Sequence, residues 1–264
     1  MEYLDIHTHV LPGVDDGAQS FAEAIGMLEV AWEAGTRQVV ATPHMFHSGL
    51  GSNDPAAVTA AFSAFTERLD RQRGAEPDRP PSEMQIHLGA ENYVGIELIS
   101  AAEAGRVLTL AGSRFLLVEF SPLTTATAAR HALSRIQDAG YLPVIAHVER
   151  YAFLQDEPAM LEELVAGGCV AQVNASAILG LHGLRIAQLV DDWLRRRQIA
   201  VVASDGHGLT ARRPELAEAS HLLAARYGET TARACLHDNP SSILADTSPT
   251  LPPLEPGKRW WPWG

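Results

Sequence analysis

YLDIHTHVLPGVDDG (residues 3–17) opens the chain with a short apolar strand that runs directly into ionisable side chains. Side chains two apart on an extended strand share a face. His7 and His9 of this "HTH" therefore point the same way and can chelate one ion. The Pro12-Gly13 turn redirects the chain and can bring Asp16 back toward the strand end. Asp5, inside the strand, is expected to orient an imidazole from behind. Asp15 is expected to face away or to cap the following turn.

The pattern of this first strand recurs along the chain. Short apolar runs stand at "QVVA" (38–41), "MQIHLGA" (84–90), "RFLLVEF" (114–120), "LPVIA" (142–146), "CVAQV" (169–173) and "IAVVA" (199–203). Helix-like stretches lie between them, among them 20–35, 55–74 and 125–140, and Gly35 and Gly140 supply C-terminal stop signals. Alternating strands and helices predict parallel βαβ units. With the first strand, seven such runs suggest an irregular α/β barrel over an open sheet, and 264 residues fit one such domain. The domain is expected to span 1–245, with "GAEPDRPPSE" (74–83) as a surface loop. A Pro/Trp-rich tail follows at 246–264. Its tryptophans would pack on the protein's own surface or meet a partner.

Every expected strand carries a polar or metal-type residue at its carboxyl end. His7 and His9 follow the first, His44 the second, Glu91 the third, and Glu119 ends the fourth. His147, Glu149 and Arg150 follow the fifth, Asn174 the sixth, and Asp205 and His207 the seventh. In a parallel α/β barrel these ends form one face, where active sites lie. Together with Asp16, the imidazoles and carboxylates would meet in one mouth. Without cations the carboxylates would repel and the imidazoles would lack partners. Bound divalent metal resolves this, and the donor set suits zinc, manganese or iron. His47, close to His44, is a reserve ligand. His87, His131, His182, His221 and His237 read as structural or surface residues.

The net charge of -12 disfavours nucleic acid and anionic membranes as partners. The two cysteines, Cys169 and Cys235, rule out a disulfide scaffold and suit a reducing compartment. No signal peptide or membrane span is evident, so a cytoplasmic location is expected.

The sequence resembles the polymerase-and-histidinol-phosphatase (PHP) superfamily. Within it, the match is to the CpsB/CapC-type tyrosine-protein phosphatases encoded with bacterial capsule and exopolysaccharide machinery. "DIHTHVLPGVDDGA", "ATPH", "GAE", "LLVEF", "PVIAHVERY", "QVNASAI", "ASDGH" and "DNPSSI" carry the resemblance, in family order from residue 5 to about 243. It implies a distorted (β/α)7 TIM-like barrel (the PHP fold) holding three divalent metal ions, often manganese in this branch, with zinc, iron, cobalt and magnesium as alternatives. His7 and His9 would hold the first metal with Asp205 and Glu91. Glu91 would bridge to a second held by Glu119 and His147. Asp16, His44 and His207 would hold the third. Arg150 would bind phosphate, and so would Arg212 or Arg213, which the motif does not separate. Many relatives read "TPHH" where this chain has Met45, which places any role of that second histidine in question.

The resemblance implies a metal-dependent phosphomonoesterase that hydrolyses phosphotyrosine on the tail of a capsule or exopolysaccharide tyrosine kinase. A hydroxide held between metals would attack phosphorus in line. Three divalent ions bring six positive charges against four from Asp16, Glu91, Glu119 and Asp205, which leaves two positive before hydroxide binds. Two other readings compete. A histidinol-phosphate phosphatase would share the metals, and a non-catalytic kinase-binding partner would need none of them.

Overall fold

The apolar runs form strands that pair in parallel, and the amphipathic stretches form helices between them. The computed structural model describes residues 1–50, 54–75 and 83–251. Its strands are β1 (Tyr3–Thr8), β2 (Thr36–Ala41), β3 (His44–Met45), β4 (Gln85–Leu88), β5 (Glu91–Tyr93), β6 (Phe115–Glu119), β7 (Leu142–Ile145), β8 (Val170–Asn174) and β9 (Val201–Ala203). They pair in the orders β1-β2-β4 and β3-β5-β6-β7-β8-β9. The result is a mixed α/β fold around a curled parallel sheet.

The strand expected at 84–90 is corrected: it ends at Leu88, and a new strand begins at Glu91. Beside it the chain breaks likewise between Ala41 and His44. Pro43 has no N–H to donate. Gly89 is pressed against the neighbouring strand, where a Cβ would lie 2.9 Å from Val40 Cγ1. Two hydrogen bonds carry the ladder past the breaks, from Gly89 N to Ala41 O (2.9 Å) and from Glu91 N to Pro43 O (3.1 Å). The kinks re-aim His44 and Glu91, which pair directly across β3 and β5.

The first and last strands also meet. Thr8 bridges to Gly206, Asp205 N donates to His7 O (3.0 Å), and His9 N donates to Gly206 O (2.8 Å). Asp5 fastens this seam: its Oδ1 accepts from Ser204 N (3.1 Å) and His7 N (3.3 Å). The expectation that Asp5 orients an imidazole is therefore corrected, because its partners are backbone donors.

The helices have local causes. Helix α1 (Phe21–Glu33) starts at Ser20, whose hydroxyl accepts from Glu23 N, and buries Ala24, Ile25, Met27, Leu28 and Ala31 along one face. Its chain leaves through Gly35 at φ +99°. Helix α2 (Pro55–Ala75) buries only Val58, Phe65 and Leu69. Helix α3 is Ile96–Glu103, and α4 (Ala126–Asp138) is capped by Thr125 and exits at Gly140, φ +92°. A large core cluster joins β6–β9 to these and later helices around the fully buried Trp193, and a second packs α1 and α2 on β2. Met45 belongs to the second, so the side chain after His44 serves packing.

Residues just past the expected domain end remain attached. Thr250 N donates to Asn239 Oδ1 (2.9 Å), and Arg197 donates to Leu251 O (2.8 Å). The rest of the expected tail, 252–264, lies outside the described residues, as does most of the expected loop at 74–83. Among the described residues, no helix is long and apolar enough to cross a membrane.

Candidate metal centre

The loop after β1 is folded back by Pro12 and Gly13, with Gly13 at φ +72°. Gly13 N bonds Ala18 O (2.8 Å), and Ala18 N bonds His9 O (3.0 Å). Only glycine fits at 17, because a Cβ there would lie 2.0 Å from the His9 carbonyl oxygen. The fold-back brings Asp15 and Asp16 onto the strand ends. Asp15 Oδ2 accepts from His9 Nδ1 at 2.7 Å and from His44 N at 3.0 Å, while Oδ1 accepts from Gly17 N at 2.9 Å. Asp15 thus caps the turn as expected. The alternative that it faces away is corrected, because it holds two of the histidines.

All nine expected ligands converge. Glu91 sits at the centre, 1% exposed. Its Oε2 lies 3.3 Å from His7 Nε2, 3.3 Å from His9 Nε2 and 3.0 Å from His44 Nδ1, and its Oε1 lies 2.8 Å from His147 Nε2. Glu119 Oε2 is 3.5 Å from His44 Nδ1. Asp16 Oδ1 is 3.4 Å from both His44 Nε2 and His207 Nε2. Asp205 Oδ1 is 3.5 Å from His7 Nε2. Two of the members, His147 and Asp205, hold left-handed backbone at φ 30° and 53°. Such strain in non-glycine residues concentrates at functional sites.

Three donor groups have ligand atoms within 4.8 Å of one another: His7, His9 and Glu91; His44, Glu91 and Glu119; and His9, Asp16, His44 and His207. Donors about 2.1 Å from one ion stand at most about 4.2 Å apart, so a small contraction closes each group. Among the described residues, buried Glu91 Oε2, Glu119 Oε2, His44 Nδ1 and His147 Nδ1 have no hydrogen-bond partner. On three of the histidines the outer imidazole nitrogen is engaged, as in metal-ligating histidines. His7 Nδ1 bonds Gln172 Oε1 (3.1 Å), His9 Nδ1 bonds Asp15, and His207 Nδ1 bonds the Asp205 carbonyl (2.9 Å). Each of these rings turns Nε2 inward. The residues therefore fit bound cations.

Burial opposes charge on these groups, and the cluster resolves the conflict unevenly. For His9, burial is outweighed by the hydrogen bond to Asp15 and the adjacent Glu91 carboxylate, which raise its pKa to about 10. Burial, reinforced by the Glu91 charge, pushes Glu119 up to about 8. Burial and then His9 push His207 down to about 2. Glu91 and Asp205 are held below the usual carboxylate range although buried, because His7 lies beside both. Protons thus occupy part of the place that cations would fill.

Gln172 was not singled out in the sequence. Its Oε1 accepts from His7 Nδ1 and from His147 N (3.0 Å), and its Nε2 donates to Asn174 Oδ1 (2.9 Å). Asn174 Nδ2 in turn donates to Asp205 Oδ2 (2.8 Å). One pair of β8 amides therefore aligns three of the expected ligands. Period-2 spacing on a strand end was the only signal, and it is common to all polar strand residues.

Arg150 Nη2 donates to Asp205 Oδ2 (2.8 Å), and Arg212 Nη2 to Asp205 Oδ1 (3.1 Å). Arg213 points instead to Glu215, 3.7 Å away. Both arginines line the cavity beside the cluster, and of the two Arg212 reaches Asp205. His47 stacks edge-on against Tyr93, 4.6 Å between centroids, and joins none of the donor groups. Both cysteines are buried, and burial pushes each thiol up to about 12. A cavity of about 400 Å³ opens beside the cluster, lined by Arg150, Asp205 and Arg212. Two larger surface depressions, of about 650 and 660 Å³, contain none of the expected ligands.

Fold and cluster together define an α/β chain with a buried His/Asp/Glu donor cluster at the strand ends of a curled parallel sheet. A family model described as capsular polysaccharide synthesis, CpsB/CapC, matches residues 3–245, and the chain belongs to that family. Tyrosine-protein phosphatase CpsB of Streptococcus pneumoniae is 30% identical over 248 residues, covering 92% of this chain and 98% of the relative. Tyrosine-protein phosphatase YwqE of Bacillus subtilis (strain 168) is 30% identical over 256 residues, 97% of each chain. A crystal structure from work on YwqE and CpsB, described as metal-dependent tyrosine phosphatases, matches with TM-score 0.83 and 28% identity over 97% of this chain and 100% of that one. The lactonase Lmo2620 of Listeria monocytogenes matches at TM-score 0.58 and 12% identity over 92% of this chain and 94% of its own, a likeness of fold alone.

Proposed function

We propose that this protein is a metal-dependent protein-tyrosine phosphatase of capsule or exopolysaccharide synthesis. Its substrate is the phosphotyrosine-bearing tail of a bacterial tyrosine kinase. The observation that carries the reading is the buried His/carboxylate cluster with two arginines on its Asp205 edge, in a chain whose relatives are tyrosine-protein phosphatases. The curled sheet is read as a distorted (β/α)7 barrel of the PHP kind, supported by the Thr8–Gly206 seam between its end strands. The catalytic domain is read as residues 1–245.

Three divalent ions, manganese by preference, would be held by His7, His9, Glu91 and Asp205; by Glu91, Glu119 and His147; and by Asp16, His44 and His207. Bound there, such ions supply Lewis acidity and a water nucleophile active near neutral pH. The chain's own residues do the rest. Arg150 and Arg212 offer guanidinium donors at the cavity, where they hold the phosphate and stabilise charge on its oxygens. Asp205 sets the position of both. Gln172 and Asp15 fix the tautomers of His7 and His9. The leaving phenolate has a free pKa of about 10, so its departure makes little demand on a proton donor. Cysteine chemistry has no support, since both thiols are buried and held protonated.

Turnover of a phosphotyrosine peptide and of histidinol phosphate, with added manganese, tests the reading. The peptide is expected to be preferred at least about tenfold in kcat/KM, and thiol alkylation to leave the rate unchanged. Preference for histidinol phosphate would overturn the substrate assignment in favour of the small-molecule reading.

Loading the ions must displace protons. With Glu119 at about 8 and His9 at about 10, both hold protons at pH 7 in the metal-free cluster. Metal competes with those protons, so apparent affinity rises with pH across 7 to 9. Titration of manganese into chelator-stripped protein at pH 7, in two buffers of different ionisation enthalpy, should show net proton release. Affinity independent of pH over that range would contradict the ligand assignment.

A further inference from the structure

The 400 Å³ cavity beside the cluster is within the size range that holds small organic ligands. Its lining divides into two chemistries. Arg150 and Arg212 reach it from the loops after β7 and β9, both tied to Asp205. Leu179, Leu181 and His182 come from the turn after the short helix Ala175–Ile178. That turn is fixed by its backbone: Leu181 N bonds Ser176 O (3.0 Å), and Gly183 N bonds Gly180 O (3.1 Å). Gly180 and Gly183 take φ +76° and +88°, which side chains rarely adopt. Ser176 Oγ also bonds His182 Nε2 at 2.8 Å. Leu181 is 73% exposed, held out on this turn beside Arg150 and Arg212. A single exposed leucine is ordinary. One that lines a cavity with the arginines is placed to meet what they bind.

We infer that Leu179 and Leu181, flanked by His182, form an aryl subsite that receives the ring of a phosphate ester whose phosphate is held by Arg150 and Arg212. The inference rests on the phosphomonoesterase reading and deepens it by assigning discrimination between aryl and alkyl esters to named side chains. An aryl ester covers the leucines and removes their surface from water, whereas a short alkyl ester leaves them wet. The charged lip does not select acidic flanks, because Arg213 is paired with Glu215 and Glu218 stands beside them. The ring, rather than the surrounding peptide, supplies the contact.

Phenylphosphonate and methylphosphonate test this without a leaving group. Each is titrated as a competitive inhibitor of phosphotyrosine-peptide turnover by manganese-loaded wild type, Leu181→Ala, Leu181→Met and Leu123→Ala. Leu123, 90% exposed, lies outside the cavity lining and serves as control. Leu181→Ala should raise Ki for phenylphosphonate about five- to twentyfold, raise KM for the peptide more than it lowers kcat, and leave Ki for methylphosphonate within about twofold. Leu181→Met should retain most of the phenyl preference, and Leu123→Ala all of it. Equal weakening of both phosphonates, or of neither, would overturn the subsite. If wild type leaves the peptide intact, the phosphatase reading fails. Calorimetric binding of the two phosphonates to the same variants then still decides the subsite, and lack of phenyl preference in wild type would overturn it.

Discussion

Stripping divalent ions with a chelator should abolish phosphotyrosine hydrolysis, by at least about a thousandfold, and manganese should restore it. The size follows from chemistry: bulk water has a pKa of 15.7, and coordination brings it to about 7. Neither thiol replaces that nucleophile, since burial pushes the pKa of both up to about 12. Stability should fall as well. Each ion at a hundred times its Kd adds about 2.7 kcal/mol, and about 1 kcal/mol moves Tm by about 2–4 °C at this chain length. Loss of one ion therefore lowers Tm by about 5–10 °C. The measurements are metal analysis, a phosphate-release assay and a thermal melt before and after chelation. Full activity in protein shown to be metal-free would remove the basis of the proposed mechanism.

Glu91→Gln should be the most damaging single substitution that keeps side-chain shape. Glu91 touches His7, His9, His44 and His147 at 2.8–3.3 Å. Glutamine fills the same volume but removes the negative charge and turns an amide donor toward imidazole nitrogens. Bound cations would lose their shared carboxylate, and the one carboxylate left to each, Asp205 or Glu119, offsets less of the cost of burying a divalent charge. Bound metal should fall by at least one ion per chain and kcat/KM by at least about a thousandfold, while the far-ultraviolet spectrum stays unchanged. The test is metal content alongside kinetics of the purified variant. Wild-type metal content with wild-type turnover would displace Glu91 from the centre of the site.

Parts of the site were legible because local geometry settles them. "HTH" places two imidazoles on one side of a strand wherever that strand lies. Ligands at the ends of successive strands converge because parallel strands point one way. Arg150 follows His147 within the same turn, so its nearness needed no long-range information. Gln172 was not legible, because its role depends on β8 lying against β7 and on reaching His7 from 165 residues away. Arg212 and Arg213 differ by one position, and only the left-handed backbone at Arg212, φ 53°, turns one toward Asp205 and the other toward Glu215. The hold of Asp15 on His9 was not legible, because that partner is reached only after the loop folds back at Gly13 and Gly17.

The run "MQIHLGA" shows the same limit on the side of the fold. Its composition is that of one strand, yet contact with Val40 forces a break at Gly89 and re-aims Glu91 into the cluster. Strand and helix order, the shared face of strand ends and the donor types were determined by the sequence alone, since periodicity and side-chain chemistry are properties of short segments. Tertiary structure decided which carboxylate lies at the centre, which arginine reaches Asp205, which amides hold the imidazoles and where the exposed Leu181 stands. Those depend on the distance between segments far apart in the chain, and that distance is set only when the sheet curls and its end strands meet.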